Sequence, residues 1–230
     1  MRGVNTFDTF QLVIDNAMAQ ASKPDAIIAT GDLVQDETQQ GYERFRDAIQ
    51  VFDVPIHCIP GNHDSQRIME AILNHAPFQY CGEAVYGDWC LIMLNSVIRL
   101  DDSGRLTPDE LARLDEALEG CADKHALLCM HHHPLPMGSQ WLDGVSLSNS
   151  EKLFKIVSKH NHVRCMVWGH VHQSSDREHN GMRMISTPST GAQFLPDSDA
   201  FKMDTRPPGY RWIELHADGS IETEVVWLEQ

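Results

Sequence analysis

Four short apolar runs in this chain break off into polar side chains that can bind metal. AIIATGD (26–32) stops at Asp32, and VPIHCIPGNHD (54–64) stops at Asn62, His63 and Asp64. HALLCMHHH (125–133) stops at His131, His132 and His133, and VRCMVWGHVH (163–172) at His170 and His172. Apolar runs of this length bounded by turn residues read as buried strands. The spacing of apolar residues between them predicts helices over 6–21, 38–51, 65–76, 107–118 and 149–159. Asn5 or Thr6 caps the first of these; Thr107 with Glu110 reads as a capping box, with Pro108 as first helical residue. EAVYG and WCLIMLNS add two strands. Beyond residue 175, MRMISTP, AFKMD, YRWIELHA and SIETEVVWL alternate with Asn-Gly, Pro-Gly and Asp-Gly turns, a pattern of antiparallel strands. With β/α units first and antiparallel strands last, the expected fold is α/β (α+β), helices outside and sheets inside, in a single domain over 1–230.

In a sheet flanked by helices, the carboxyl ends of neighbouring strands form the rim where ligands bind, so the four polar endings are expected to converge. Each ending alone is a weak signal; their recurrence at the same place on successive units is what points to a metal centre. Among Asp32, Asn62, His63, Asp64, His131 to His133, His170 and His172 these endings offer carboxylate, amide oxygen and imidazole without thiolate. That donor set suits Mn, Fe, Co, Ni or Zn in a hydrolytic centre rather than a structural zinc site. Gly31, Gly61 and Gly169 adjoin these residues and allow sharp turns. The six cysteines form no CxxC pair and are expected to be reduced packing residues, Cys129 included. A net charge of −15, from 33 acidic against 18 basic side chains, repels nucleic acid and anionic lipid but attracts cations. The sequence contains neither a secretory leader pattern nor an apolar stretch of about 20 residues, so a soluble, cytoplasmic protein is expected.

GDLVQD (31–36), GNHD (61–64), HHHP (131–134) and GHVH (169–172), in that order, resemble the motifs of the calcineurin-like metallophosphoesterases. LPMGSQWLD, STPSTGAQFLP and FKMDTRPPGYRWIELHADGSIETEV resemble the bacterial class III cyclic AMP phosphodiesterases of that superfamily. The resemblance implies a four-layer αββα sandwich carrying two divalent metal ions (Fe, Mn or similar), bridged by one aspartate and a hydroxide. Asp32 matches the bridging carboxylate; Asn62, His131 and His170 match the other ligands of one metal, and His172 a ligand of the second. His63 matches the catalytic histidine beside the phosphate, and Asp32, Asn62, His63, His131 and His172 would face the substrate. The implied reaction is attack of the metal-bridging hydroxide on 3′,5′-cyclic AMP to give 5′-AMP. Asp36 and Asp64 are expected to orient ligands, His132 and His133 to pack or support, and Trp141, Thr190, Gln193 and Phe194 to line a base pocket. Two alternatives stay open: another phosphodiester or a nucleotide pyrophosphate as substrate, or a non-catalytic nucleotide-binding or regulatory protein. A cyclic nucleotide is the expected partner, nucleic acid and membrane are not, and the sequence leaves a homodimer open.

One departure from the family pattern is expected to matter. Family members begin with a strand ending in Asp-x-His, whereas Asp8, Asp15 and Asp25, and no histidine, precede Asp32 here. The expectation is a domain lacking its first strand through N-terminal truncation, with the second metal site depleted to Asp32 and His172 and two-metal activity weakened or lost.

Overall fold

A computed structural model describes residues 3–229. Its elements follow in chain order: α1 (Thr6–Met18), β1 (Ile27–Ala29), α2 (Gln39–Ile49), β2 (Ile56–Cys58), α3 (Gln66–Ile72), β3 (Phe78–Tyr80), β4 (Gly82–Tyr86), β5 (Trp89–Met93) and α4 (Pro108–Gly120). Then come β6 (His125–Met130), α5 (Gln140–Asp143), α6 (Ser150–Val157), β7 (Val163–Trp168), β8 (Ser175–His179), β9 (Met182–Ser186), β10 (Gly209–Leu215) and β11 (Ile221–Trp227). They build a parallel sheet β1-β2-β3, a mixed six-stranded sheet β4-β5-β6-β7-β9-β8, and a hairpin β10-β11.

Side-chain alternation along the strands of the large sheet accounts for the layering. On β5, β6 and β7, Cys90, Ile92, Ala126, Leu128, Met130, Met166 and Trp168 face one way and pack with Leu114, Leu118, Leu153 and Val157 of α4 and α6. Trp89, Leu91, Met93, Leu127, Cys129, Cys165 and Val167 face the other way and meet Ile28 of β1 with Ile213, Leu215 and Ile221 of the hairpin. The far face of the small sheet buries Ile56 and Cys58 against Ile14, Tyr42, Phe45 and Met69 of α1, α2 and α3. The order of layers is therefore helices, small sheet with hairpin, large sheet, helices. This is the expected αββα sandwich, and β5, β6 and β7 read as near-continuous apolar runs because both their faces are covered. All six cysteines are free, and burial pushes the Cys90 and Cys165 thiols up to about 12, so they behave as packing residues.

The local differences from expectation are instructive. Asn5 caps α1 by accepting from the Phe7 amide, but the helix ends at Met18. Thr107 accepts from the Glu110 amide with Pro108 in the first turn, as expected. The reciprocal half of the box is diverted: Glu110 accepts instead from the Asn95 amide and from Arg113. AFKMD does not form a strand; Met203 makes only an isolated bridge to Phe194. The Asn180-Gly181 turn joins β8 to β9, and β8, whose charged SDREH sequence carries no apolar alternation, pairs because β9 is anchored in parallel on β7. Among the described residues no helix is long and apolar enough to cross a membrane.

Candidate functional site

The four polar endings come together at the carboxyl ends of β1, β2, β6 and β7, in a cavity of about 1160 Å³ whose wall includes Asp32, His63, His131, His170 and His172. Strand parity selects among the three adjacent histidines. His131 continues the row of Leu127 and Cys129 that faces the small sheet, whereas His132 continues the row of Leu128 and Met130 that faces the helices. His131 Nδ1–H accordingly donates to the Thr30 carbonyl, just past the end of β1, at 2.7 Å. That bond fixes the tautomer and leaves the Nε2 lone pair pointing into the site.

Around His131 Nε2 lie Asn62 Oδ1 at 3.2 Å, His170 Nδ1 at 3.2 Å and Asp32 Oδ2 at 3.4 Å. Most of these atoms present lone pairs, and a single proton on His131 or His170 satisfies only one of the contacts. A divalent cation would satisfy all of them, so the donor set fits a metal. Without a cation in place, Asp32 is paired electrostatically with His131, while His170 and His172 stay neutral. Burial disfavours the Asp32 charge, yet His131 and the His63 amide outweigh it and hold the carboxyl well below its ordinary range. Burial likewise disfavours the His131 cation, but Asp32 raises it overall. Burial and the neighbouring His131 and His132 push His170 well below the usual histidine value, and burial takes His172 down to about 4, which keeps both imidazoles neutral and able to ligate. His172 Nδ1–H donates to the Ala192 carbonyl at 2.8 Å, freeing its Nε2.

The backbone adopts an uncommon shape at the site. Asp32, His170 and His172 all have positive φ (56°, 58° and 46°), a left-handed conformation that costs free energy in non-glycine residues and turns their side chains inward from the strand ends. Gly31 shares this conformation at φ 95°, and a Cβ there would lie 2.4 Å from His131 Nδ1. Gly61 serves a different purpose from the one expected. Its φ is not positive, but a Cβ would fall 2.1 Å from Asp32 Oδ1 and 2.7 Å from His131 Cε1, so it provides space rather than a turn.

Supporting groups surround these donors. Asp64 is buried and accepts from the Leu33 and Gly61 amides and from the Tyr42 hydroxyl at 2.9 Å, tying the two loops together. Burial, with the nearby Asp32 charge, pushes its carboxyl up to about 6. Asp36 lies at the surface and accepts from Thr38 at the start of α2. His63 is exposed, and its amide donates to Asp32 Oδ1 at 2.9 Å.

His132 was not expected among the donors, yet its ligating atoms lie within 4.8 Å of those of His131 and His170. His132 Nδ1 pairs with Ser96 Oγ at 2.8 Å and its Nε2 is buried without a partner. It stands behind the cavity wall, so it props His131 and His170 rather than facing the cavity. His133 is fully buried beside Asp143 and held down to about 4 by burial. Of the four residues expected around a base, Thr190 lines the cavity and Phe194 stacks on His172 at 4.1 Å with Trp141 edge-on to it. Gln193 is a correction. It is buried and spends both its amide groups on backbone partners at Ser189 and Pro207, which removes it from any pocket wall.

The sequence match decides the family: residues 3–174 match the calcineurin-like phosphoesterases. The chain belongs to that family. It is 39% identical over 229 residues to the 3′,5′-cyclic adenosine monophosphate phosphodiesterase CpdA of Haemophilus influenzae, covering 99% of this chain and 84% of that protein. It is also 39% identical to CpdA of Escherichia coli K12, covering 97% of this chain and 82% of its relative. Among solved structures, a dimetal phosphatase from Danio rerio superposes with a TM-score of 0.67 at 14% identity, covering 96% of this chain and 88% of that one, which shows the family's fold.

Proposed function

We propose that this chain is a metal-dependent phosphodiesterase that hydrolyses 3′,5′-cyclic AMP to 5′-AMP. The observation that carries the reading is the convergence of Asn62, Asp32 and His170 on His131 Nε2, in a chain 39% identical to CpdA proteins along nearly its whole length. Asp32, Asn62, His131 and His170 would hold one divalent ion, manganese or iron by donor type. Asp32 and His172, whose free Nε2 borders the same cavity, would contribute to a second ion. When bound, such ions neutralise a phosphate and make water acidic enough to attack it near neutral pH.

The chain's own residues supply the rest. Hydrolysis adds water across the bond between phosphorus and the ribose 3′ oxygen: the incoming oxygen joins phosphorus, and the 3′ oxygen leaves with a proton. His63 is the exposed imidazole on the cavity wall, its backbone pinned to Asp32, and would deliver that proton as general acid. Asp32, Asn62, His131 and His172 converge on the same site and would position the phosphate, while Phe194, buried and stacked on His172, holds that imidazole in place.

The test is a chromatographic assay of cyclic AMP turnover by the purified chain across a Mn²⁺ titration, beside cyclic GMP, bis(p-nitrophenyl) phosphate and a nucleoside diphosphate. The expected product is 5′-AMP, formed increasingly as Mn²⁺ is added and lost in His63→Ala. Hydrolysis of another of these esters with cyclic AMP untouched would overturn the substrate assignment. Saturable cyclic AMP binding with no turnover at any Mn²⁺ concentration would favour a non-catalytic nucleotide-binding role.

A further inference from the structure

We propose that Tyr42 is a positioning residue for the metal donors: through its hydroxyl, α2 sets the spacing between the loop that carries Asp32 and the loop that carries Asn62 and His63. The inference rests on the reading that Asp32 and Asn62 hold a divalent ion, and it adds a residue that lies outside all four polar strand endings. Tyr42 is fully buried near the start of α2, on the stripe that also buries Phe45 and Ile49. The helix begins close behind the Asp32 loop: Thr38 caps it by accepting from the Gly41 amide and donates its own hydroxyl proton to Asp36.

The Tyr42 hydroxyl uses both its donor and its acceptor capacity. It donates to Asp64 Oδ1 at 2.9 Å and accepts from the Ser65 amide at 2.8 Å. The same Asp64 carboxylate accepts from the Leu33 amide at 3.1 Å and from the Gly61 amide at 2.9 Å. Leu33 follows Asp32, Gly61 precedes Asn62, and Asp64 and Ser65 follow His63. One phenol and one carboxylate therefore fix the backbone immediately after Asp32 and on both sides of Asn62 and His63. The donor geometry depends on that spacing, with Asn62 Oδ1 and Asp32 Oδ2 at 3.2 and 3.4 Å from His131 Nε2 and the His63 amide on Asp32 Oδ1 at 2.9 Å.

Core packing alone does not call for a tyrosine at this position. The ring lies in the cluster of Ile14, Phe45, Ile56 and Met69, which a phenylalanine would fill without bringing a hydroxyl out of water. The hydroxyl finds partners there only because the two loops meet at it. Asp32 supplies a second reason for the restraint. Its left-handed backbone, at φ 56°, persists only where the surroundings over-determine it, and the Leu33 bond to Asp64 is one of those constraints. Tyr42 orients the carboxylate that makes it.

Tyr42→Phe removes the oxygen and keeps the ring. Mn²⁺ binding to the full chain is measured by titration calorimetry well below the unfolding midpoint, beside Phe45→Leu, which lowers stability in the same helix and cluster without touching the hydroxyl. Tyr42→Phe should weaken Mn²⁺ binding roughly tenfold, the lower end of what loss of a supporting partner brings, while Phe45→Leu keeps the wild-type affinity. Tyr42→4-aminophenylalanine, which regains a donor for Asp64, should recover most of the loss. Unchanged affinity in Tyr42→Phe, or an equal loss in Phe45→Leu, would overturn the positioning role. A wild-type chain that binds no Mn²⁺ would instead overturn the metal reading beneath it, and the inference with it.

Discussion

His131 holds the site together through two opposed contacts, its Nδ1–H on the Thr30 carbonyl and its Nε2 facing Asn62, Asp32 and His170. Replacing it removes a donor shared by every group of the cluster. Titration calorimetry with Mn²⁺ should show His131→Ala weakened by more than about 100-fold, beyond the 10–100-fold that loss of a supporting partner brings. Asp64 is the opposite case, a buried acceptor for three donors that never reaches the cavity. In Asp64→Asn an amide NH₂ must face one of those donors, and urea unfolding should record a loss of about 1–3 kcal/mol. Gly61→Ala places a methyl group 2.1 Å from Asp32 Oδ1 and should abolish tight Mn²⁺ binding while circular dichroism stays native. The residues of the cluster were legible because GDLVQD, GNHD, HHHP and GHVH are local strings. The prop role of His132 and the backbone bonds that occupy Gln193 were not, because their partners Ser96 and Pro207 lie in other segments.

At the scale of elements, a strand's parity and a helix's first turn decide what each sequence pattern delivers. β6 is apolar on both faces, so its parity cannot be assigned from hydrophobicity, and the choice between His131 and His132 rests on which layer each face of β6 meets. The α4 cap is local and was legible: Thr107→Ala should cost about 1 kcal/mol, seen as a fall in Tm of about 2–4 °C for a chain of this size. The diversion of Glu110 to Asn95 and Arg113 was not legible, since it depends on α4 lying beside the end of β5. β8 illustrates the same limit, for its charged residues are held by pairing with β9 rather than by any propensity of their own.

Over the whole molecule, metal binding and stability are expected to be linked, because the donors come from four separate strand ends that only the folded chain brings together. Mn²⁺ added to chelator-treated protein at about 100 times its Kd should stabilise it by about 2.7 kcal/mol, measured as a rise in Tm that is absent in His131→Ala. The sequence by itself determined the alternation of apolar strands and amphipathic helices, the family motifs and the identity of the donors, because periodicity and short motifs are encoded by neighbours along the chain. Only the tertiary structure decided that Asp32, His170 and His172 take left-handed backbone shapes, and that among the described residues β1 and β10 leave two strand edges open to one cavity. Those outcomes depend on which surfaces end up opposite one another, and no local stretch of sequence carries that information.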